Sequence, residues 1–258
     1  MALPPPRSLR RATPRTGVAR ALSKLGVASR TVAAEWVSAG RVSVNGRTVR
    51  DPEAPVVLAR DRLAVDGATV GAVLRRYLML NKPRGLVTTT RDERGRDTVY
   101  RCLAPEGLAL SPVGRLDKAS EGLLLFSNDS AWAQRLLDPA SHLAKVYHVQ
   151  INRVADGALL KTLAAGVLLE DQGHLQVSAV RQLRGGQRHS WLEIVLHEGR
   201  NRHIRRLLEA LDIRVLRLVR VAIGPLRLGE LAKGRSRDLT AAELKAVAAA
   251  LAAGPVPD

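Results

Sequence analysis

Two opposite charges stand two residues apart in a segment near the middle of the chain. Arg115 and Asp117 belong to residues 111–117, sequence SPVGRLD, and the apolar run Leu123–Phe126 follows. Pro and Gly interrupt regular structure, so the pattern predicts a loop that delivers an Arg and an Asp just before a buried strand. A carboxylate in a closed pocket can act as a nucleophile or a general base. The residue types alone favour a plainer alternative, an Asp that bonds nearby backbone amides in a turn.

Other kinds of reactive centre are not indicated. Cys102 is the single cysteine, so intramolecular disulfides and thiolate metal clusters are excluded. The six histidines do not have the spacing of a helical metal site, and the sequence contains neither a P-loop nor a dinucleotide-binding glycine motif. We therefore expect no metal and no cofactor.

The charge balance points to a polyanionic partner. The chain carries 41 Lys and Arg against 24 Asp and Glu, a net charge of +17. Seven basic and no acidic residues precede residue 35, and seven arginines lie between Arg200 and Arg220. Such clusters favour nucleic acid or an anionic membrane surface, and no apolar run is long enough to span a membrane. Aromatic residues make up only 3%, so recognition should depend on phosphates and RNA shape.

The chain divides into segments of different character. Residues 1–15 combine Pro and Arg and predict a basic mobile tail. Residues 16–67 predict two short helices, the second capped by Ser29, followed by a hairpin that turns at Asn45-Gly46. We expect a linker over 68–76 and a larger domain over 77–258. Strands outnumber helices there without regular alternation, so we predict an α+β fold.

The larger domain contains several clear element signals. Buried strands are predicted at Tyr77–Leu80 and Leu123–Phe126, and Lys145–Ile151 alternates with Tyr147 on the apolar face. That alternation by itself favours core packing for Tyr147. Ile204, Leu207, Leu208 and Leu211 predict a helix, and Thr240–Glu243 predicts a capping box.

Several motifs resemble two known families. Residues 24–30 and 40–46 resemble the RNA-binding module named after ribosomal protein S-four. The segment Gly114–Asp117 followed by Ser120-x-Gly122 resembles the signature loop of the RsuA/RluB-type pseudouridine synthases. Residues 77–83, 145–147 and 198–206 resemble further motifs of that family, in the same order. The resemblance implies a catalytic domain with a mixed, mainly antiparallel sheet. A small helix-helix-hairpin RNA-binding module precedes it in the sequence.

The resemblance also implies a reaction and a role for each matching residue. The enzyme would break the glycosidic bond of a uridine, turn the base and rejoin it through ring carbon five. Asp117 would act at the nucleoside, Arg205 would pair with it, and Tyr147 would stack on the flipped base. Arg115 would fill the gap left in the RNA. Further RNA contacts are expected from Arg20, Lys24, Arg30, Arg41, Arg47, Arg200, Arg202 and Arg206.

The implied substrate is ribosomal RNA, closer to the large-subunit (23S) branch than to the small-subunit (16S) branch. We expect a cytoplasmic monomer that needs neither a membrane nor a protein partner. Two alternatives remain open. One is a noncatalytic RNA-binding or ribosome-assembly factor on the same scaffold. The other is a DNA-binding regulator that uses the two N-terminal helices, which the following hairpin disfavours.

Overall fold

The computed structural model describes residues 15–71, 74–89, 92, 94–104, 110–169 and 173–254. The basic tail predicted at the N-terminus lies outside the described residues except for Arg15. The chain forms two compact units, residues 1–74 and 75–258. In the described part of the chain, no helix is long and apolar enough to cross a membrane.

The N-terminal unit contains the predicted helices and hairpin. Its elements are β1 (Thr16–Gly17), α1 (Val18–Lys24), α2 (Arg30–Ser38), β2 (Val42–Val44), β3 (Arg47–Val49), β4 (Pro55–Val56), β5 (Leu63–Val65) and β6 (Ala68–Thr69). The Ser29 side chain accepts the Val32 amide and caps α2. Asn45 and Gly46 both have positive φ, 52° and 80°, as a tight two-residue hairpin turn requires. The segment predicted as a linker begins with a strand, because Asp66-Gly67 forms a second such turn between β5 and β6.

Small apolar side chains hold this unit together. The two helices pack on the sheet, whose strand order is β3-β2-β5-β6, while β1 pairs with β4. Val18, Leu22, Val37 and Val42 are at most 1% exposed and form the centre of the core. Because the apolar residues lie inside, the basic residues of both helices lie on the surface of this unit.

The C-terminal unit is built on one large sheet. Its strands are β7 (Tyr77–Lys82), β8 (Ser111–Val113), β9 (Glu121–Ser127), β10 (Lys145–Ile151), β11 (Val167–Leu169), β12 (Gly173–Leu175), β13 (Ala179–Gly185), β14 (Ser190–Leu196), β15 (Val215–Ile223), β16 (Leu226–Arg227) and β17 (Ser236–Asp238). Its helices are α3 (Ser130–Leu137), α4 (Gly157–Ala165), α5 (His203–Glu209) and α6 (Ala241–Ala253). The order in the sheet is β13-β14-β10-β15-β9-β7-β17, with β16 beside β15 and β8 beside β9.

Strand β9 lies inside the sheet, between β15 and β7, and is buried on both faces. Leu124 and Phe126 pack into one apolar cluster, and Leu123 and Leu125 pack into another beneath α3 and α6. This double burial explains the uninterrupted apolar run in the sequence. Among the named strands, β9 and β15 form the one parallel pair, and the other pairs are antiparallel. The predicted α+β class with a mixed, mainly antiparallel sheet is confirmed.

One detail of the predicted helices is wrong. Leu211 was assigned to the helical stripe of α5, yet that helix ends at Glu209. Leu137, the last residue of α3, is 49% exposed while Leu136 is buried, and its side chain lies beside Gly114 in the loop after β8. The capping box at Thr240 and Glu243 is present as predicted.

Candidate active site

Asp117 lies in the loop between β8 and β9, and main-chain contacts fix this loop. The Asp117 carbonyl accepts the Ser120 amide at 2.9 Å. The Thr88 hydroxyl donates to the Leu116 carbonyl at 2.8 Å. The Asp117 side chain is 32% exposed, and no backbone amide of the described residues donates to its carboxylate. The turn-forming alternative requires such an amide, so the structure favours a carboxylate that is held available for another partner.

Lys82 anchors the loop from beneath. Its side chain is fully buried, and its ammonium donates to the carbonyls of Asp117 and Ser120 at 3.1 and 2.8 Å. Burial lowers the pKa of Lys82 to about 8, while the nearby carboxylates of Asp117 and Glu121 oppose that shift. The sequence pattern predicts a strand that ends at Leu80, so it does not indicate the role of Lys82. The strand in fact continues through Lys82.

The buried amine should make stability depend on pH in the alkaline range. The pKa of Lys82 is about 8 in the folded protein and 10.5 as a free group, so the unfolded chain binds more protons between these values. Stability must then rise with pH across that window. We expect the wild-type free energy of unfolding to gain about 2–3 kcal/mol from pH 7 to 10 relative to Lys82→Met. Urea unfolding of both proteins at each pH measures this gain. Free energies of unfolding that change equally with pH in wild type and Lys82→Met would contradict this prediction.

Arg205, on α5, approaches Asp117 from the other side. Its Nε lies 4.0 Å from Asp117 Oδ2, which is an ion-pair distance but not a hydrogen bond. Its Nη2 donates to the Ala119 carbonyl at 3.0 Å and lies 3.5 Å from Ser120 Oγ. The Arg205 side chain is only 12% exposed, and burial lowers its pKa, with a smaller contribution from Arg202. The guanidinium is thus fixed to the loop and leaves the carboxylate accessible.

Tyr147 lies between the apolar core and the cavity. It is half-buried, and it packs against the apolar clusters on the same face of β10. It also lines a cavity of about 420 Å³ that Asp117 and Ser120 share. The sequence left core packing and ligand contact as alternatives for Tyr147. In the structure, its side chain packs against the core and also faces the cavity.

The remaining predicted residues fall into three groups. Arg115, Arg200 and Arg202 line the cavity and are exposed, whereas Arg206 does not line it. Arg200 also donates to Glu198 at 2.9 Å. The third group lies on the N-terminal unit and is exposed at every position, namely Arg20, Lys24, Arg30, Arg41 and Arg47.

Arg41 has structural partners within the N-terminal unit. Its guanidinium forms hydrogen bonds with the Asp66 carboxylate, the closest at 2.5 Å, and lies 5.1 Å from the Trp36 ring centroid. Part of its charge is therefore neutralised within the N-terminal unit itself.

Arg220 is a part of the site that the sequence did not indicate, and Gly122, which belongs to the resembling motif, has a structural role beside it. Arg220 lies on β15, is 6% exposed and lines the cavity. Gly122 has φ of 101°, and a Cβ there would lie 2.3 Å from the Arg220 carbonyl oxygen. Glycine is therefore required for β9 and β15 to approach closely. The Ser-x-Gly spacing was the available signal for Gly122, whereas Arg220 gave none because its strand was not predicted.

Among the described residues, no group of three or more His, Cys, Asp or Glu side chains is placed to hold a metal ion. The arrangement offers the accessible carboxylate of Asp117, the guanidinium of Arg205 fixed beside it and the aromatic wall of Tyr147. Such a site suits acid–base or nucleophilic chemistry on a planar, uncharged group.

Comparisons with known proteins identify the family. The family model described as RNA pseudouridylate synthase matches residues 76–210, and the S4 domain model matches residues 18–59. The chain is 40% identical to an uncharacterized RNA pseudouridine synthase of Aquifex aeolicus over 224 residues, 86% of this chain and 90% of that one. The chain belongs to the RNA pseudouridine synthase family. The family resemblance of the sequence motifs is thereby confirmed.

Two further comparisons extend this result. The synthase is 33% identical over 227 residues to a protein of Bacillus subtilis named ribosomal large subunit pseudouridine synthase B, covering 88% of this chain and 93% of that one. A solved structure described as the crystal structure of pseudouridylate synthase superposes with a TM-score of 0.65 at 25% identity. It covers 90% of this chain and 99% of its own. The likeness to that structure therefore extends over nearly the whole chain.

Proposed function

We propose that this synthase converts a uridine of bacterial large-subunit ribosomal RNA to pseudouridine, with Asp117 as the catalytic group. The observation that carries the proposal is the accessible Asp117 carboxylate, 4.0 Å from the fixed Arg205 guanidinium in a cavity that Tyr147 lines. The choice of large-subunit RNA rests on similarity over most of both chains to the Bacillus subtilis protein of that name. Such a substrate also implies a cytoplasmic enzyme.

Asp117 would act directly on the ribose of the target nucleotide. Its carboxylate either attacks C1′ as a nucleophile or removes a proton from C2′ as a base. Both roles need a charged oxygen that faces the substrate, and the loop contacts that hold the Asp117 main chain leave its side chain free to do so. Isomerisation adds and removes no atoms overall, so one carboxylate can serve every step.

Arg205 would keep that carboxylate correctly aimed. Its Nη2 is held by the Ala119 carbonyl, so the positive charge stays near Asp117 without enclosing it. We assign Arg205 a positioning role, because its contacts are with the loop.

Tyr147 would bind the flipped base, and Arg115 would occupy the place that the base leaves in the RNA. A uridine within structured RNA must leave the helix before its glycosidic bond can be reached. The Tyr147 ring offers it a stacking surface, which typically contributes about 1–3 kcal/mol per base. Arg115 is exposed at the mouth of the cavity and suits insertion into the gap left in the RNA.

Basic side chains on both units would bind the RNA backbone. We assign phosphate contacts to Arg20, Lys24, Arg30, Arg41 and Arg47 on the S4 unit and to Arg200, Arg202 and Arg206 on the catalytic unit. Phosphate contacts add affinity without reading sequence, so choice of the target nucleotide would need further contacts. A noncatalytic RNA-binding factor would need basic residues of this kind, but it would not need Asp117, Arg205 and Tyr147 together.

Mapping pseudouridines in the ribosomal RNA of a deletion strain and its parent tests the proposed function. We expect one or a few positions in the large-subunit RNA to lose pseudouridine in the deletion strain. The gene restored in trans should recover them. Loss confined to small-subunit RNA would overturn the substrate assignment, and unchanged RNA from both subunits would favour a noncatalytic role.

A further inference from the structure

Arg220 occupies the wall of the catalytic cavity directly beside Tyr147. Both side chains line the cavity, and the two residues are cross-strand partners on β15 and β10. The register of this pair shifts between Val146 and Tyr147, which inserts one extra residue into β15 next to Arg220. Bulges of this kind often lie near active sites, where they redirect a side chain. Arg220 therefore has a position from which it can reach a base stacked on Tyr147.

The Arg220 guanidinium is buried without a matching negative charge. Its Nε donates to the Leu123 carbonyl at 2.8 Å, and its Nη2 is buried with no hydrogen-bond partner among the described residues. No carboxylate of the described chain lies within 4.0 Å of it. A buried cation is costly unless it is paired, so its presence in a cavity indicates that the bound substrate supplies the negative charge.

Arg217 shows what a structural arginine on the same strand looks like. It lies three residues before Arg220 and is directed to the other face of the sheet. Its guanidinium forms two hydrogen bonds of 3.0 Å with the Glu121 carboxylate. Lys233 also contacts Glu121, at 2.5 Å. The charge of Arg217 is therefore neutralised by a carboxylate within the fold, whereas the charge of Arg220 is not.

We propose that Arg220 stabilises the negative charge that develops on the uracil ring as the glycosidic bond breaks. This inference rests on the proposed function. When the C1′–N1 bond breaks, its electron pair moves to the uracil and spreads over N1 and the two carbonyl oxygens. That holds whether the Asp117 carboxylate adds to C1′ or takes the C2′ proton. The ring then bonds to C1′ through C5, while either the Asp117–C1′ ester bond breaks or Asp117 returns its proton to C2′. C5 then loses its proton, and N1 gains one.

Burial favours the uracil over an RNA phosphate as the partner of Arg220. Phosphates are strongly hydrated and stay near the surface, where the exposed guanidiniums of Arg115, Arg200 and Arg202 surround the same cavity. Arg220 is 6% exposed and lies beside the aromatic wall, where a planar base rather than a phosphate would fit. A fixed donor in such a site acts mainly on charge that develops in the transition state.

Single-turnover kinetics on the full-length protein test the inference. Enzyme in excess is mixed with a large-subunit RNA fragment that carries the target uridine, and pseudouridine formation is followed for wild type, Arg220→Lys, Arg220→Met and the control Arg217→Met. We expect Arg220→Met to react about 10²-fold slower at saturation, the usual effect of removing one such donor. Arg220→Lys should lose less, and Arg217→Met should match wild type. RNA dissociation constants should stay unchanged throughout.

A second substrate distinguishes charge stabilisation from a structural role. Fluorine at C5 stabilises the uracil anion, so consumption of a 5-fluorouridine substrate should be slowed less by Arg220→Met than consumption of uridine. Equal losses on both substrates would overturn the inference, as would a wild-type rate in Arg220→Met. Weaker RNA binding with an unchanged saturated rate would reassign Arg220 to a phosphate. A wild-type protein that forms no pseudouridine would instead refute the proposed function itself.

Discussion

Replacing Asp117 with Asn should abolish pseudouridine formation and leave RNA affinity nearly unchanged. The amide has the same shape as the carboxylate, but it is neither a base nor an effective nucleophile. The loop should keep its conformation, because Lys82 and Ser120 hold the Asp117 carbonyl rather than its side chain. We expect the rate to fall at least about 10³-fold, within the range of a general-base contribution. Single-turnover assays and RNA-binding titrations measure the two quantities.

Asp212→Asn is a suitable control for that substitution. It makes the same change of charge at an exposed residue outside the catalytic cavity, and Asn tolerates the positive φ of 55° at that position. The control should retain wild-type turnover. Turnover that persists in Asp117→Asn would remove Asp117 from its catalytic role. Loss of RNA binding in that variant would indicate a disturbed fold instead of a lost catalytic group.

Replacing Gly122 with Ala should damage both stability and activity. The new Cβ would lie 2.3 Å from the Arg220 carbonyl oxygen and 2.9 Å from its nitrogen, so the paired strands must separate. The φ of 101° adds backbone strain. We expect a loss of about 2–5 kcal/mol in the free energy of unfolding from strain and overpacking together. Activity should also fall in the molecules that fold, because the loop of Asp117 ends at this strand.

Gly229→Ala separates the effect of backbone strain from the effect of overpacking between β9 and β15. Gly229 also has a positive φ, 57°, but nothing lies within 4 Å of a Cβ added there. It should lose only about 1–2 kcal/mol, the price of a left-handed alanine, and keep its activity. Urea unfolding and single-turnover assays on both variants provide the comparison. Equal losses would show that backbone strain, and not the close approach of β9 to β15, accounts for the effect.

The sequence indicated features that depend on local patterns. The apolar run of β9, the hairpin turn at Asn45-Gly46 and the helix caps at Ser29 and Thr240 all express short-range rules, and the structure contains them. The catalytic candidates were less evident. Residue types alone favoured a turn-forming role for Asp117, and only the resemblance of several motifs pointed to catalysis.

Features that depend on distant contacts were not predicted. Lys82 belongs to a residue type that is usually exposed, and its burial follows from three carbonyls that converge on it, two of them from the loop of Asp117. Arg220 was counted only as part of a basic cluster, because its burial depends on pairing between β15 and strands far away in sequence.

The parallel contact between β9 and β15 joins segments about 100 residues apart in the chain. Ribosomes deliver Asp117 well before α5 and β15, which supply Arg205 and the strand that lies against Gly122. A nascent chain therefore contains the reactive carboxylate for some time without its guanidinium partner or its complete cavity wall. The synthase can become active only late in its own translation, after nearly the whole catalytic unit has emerged.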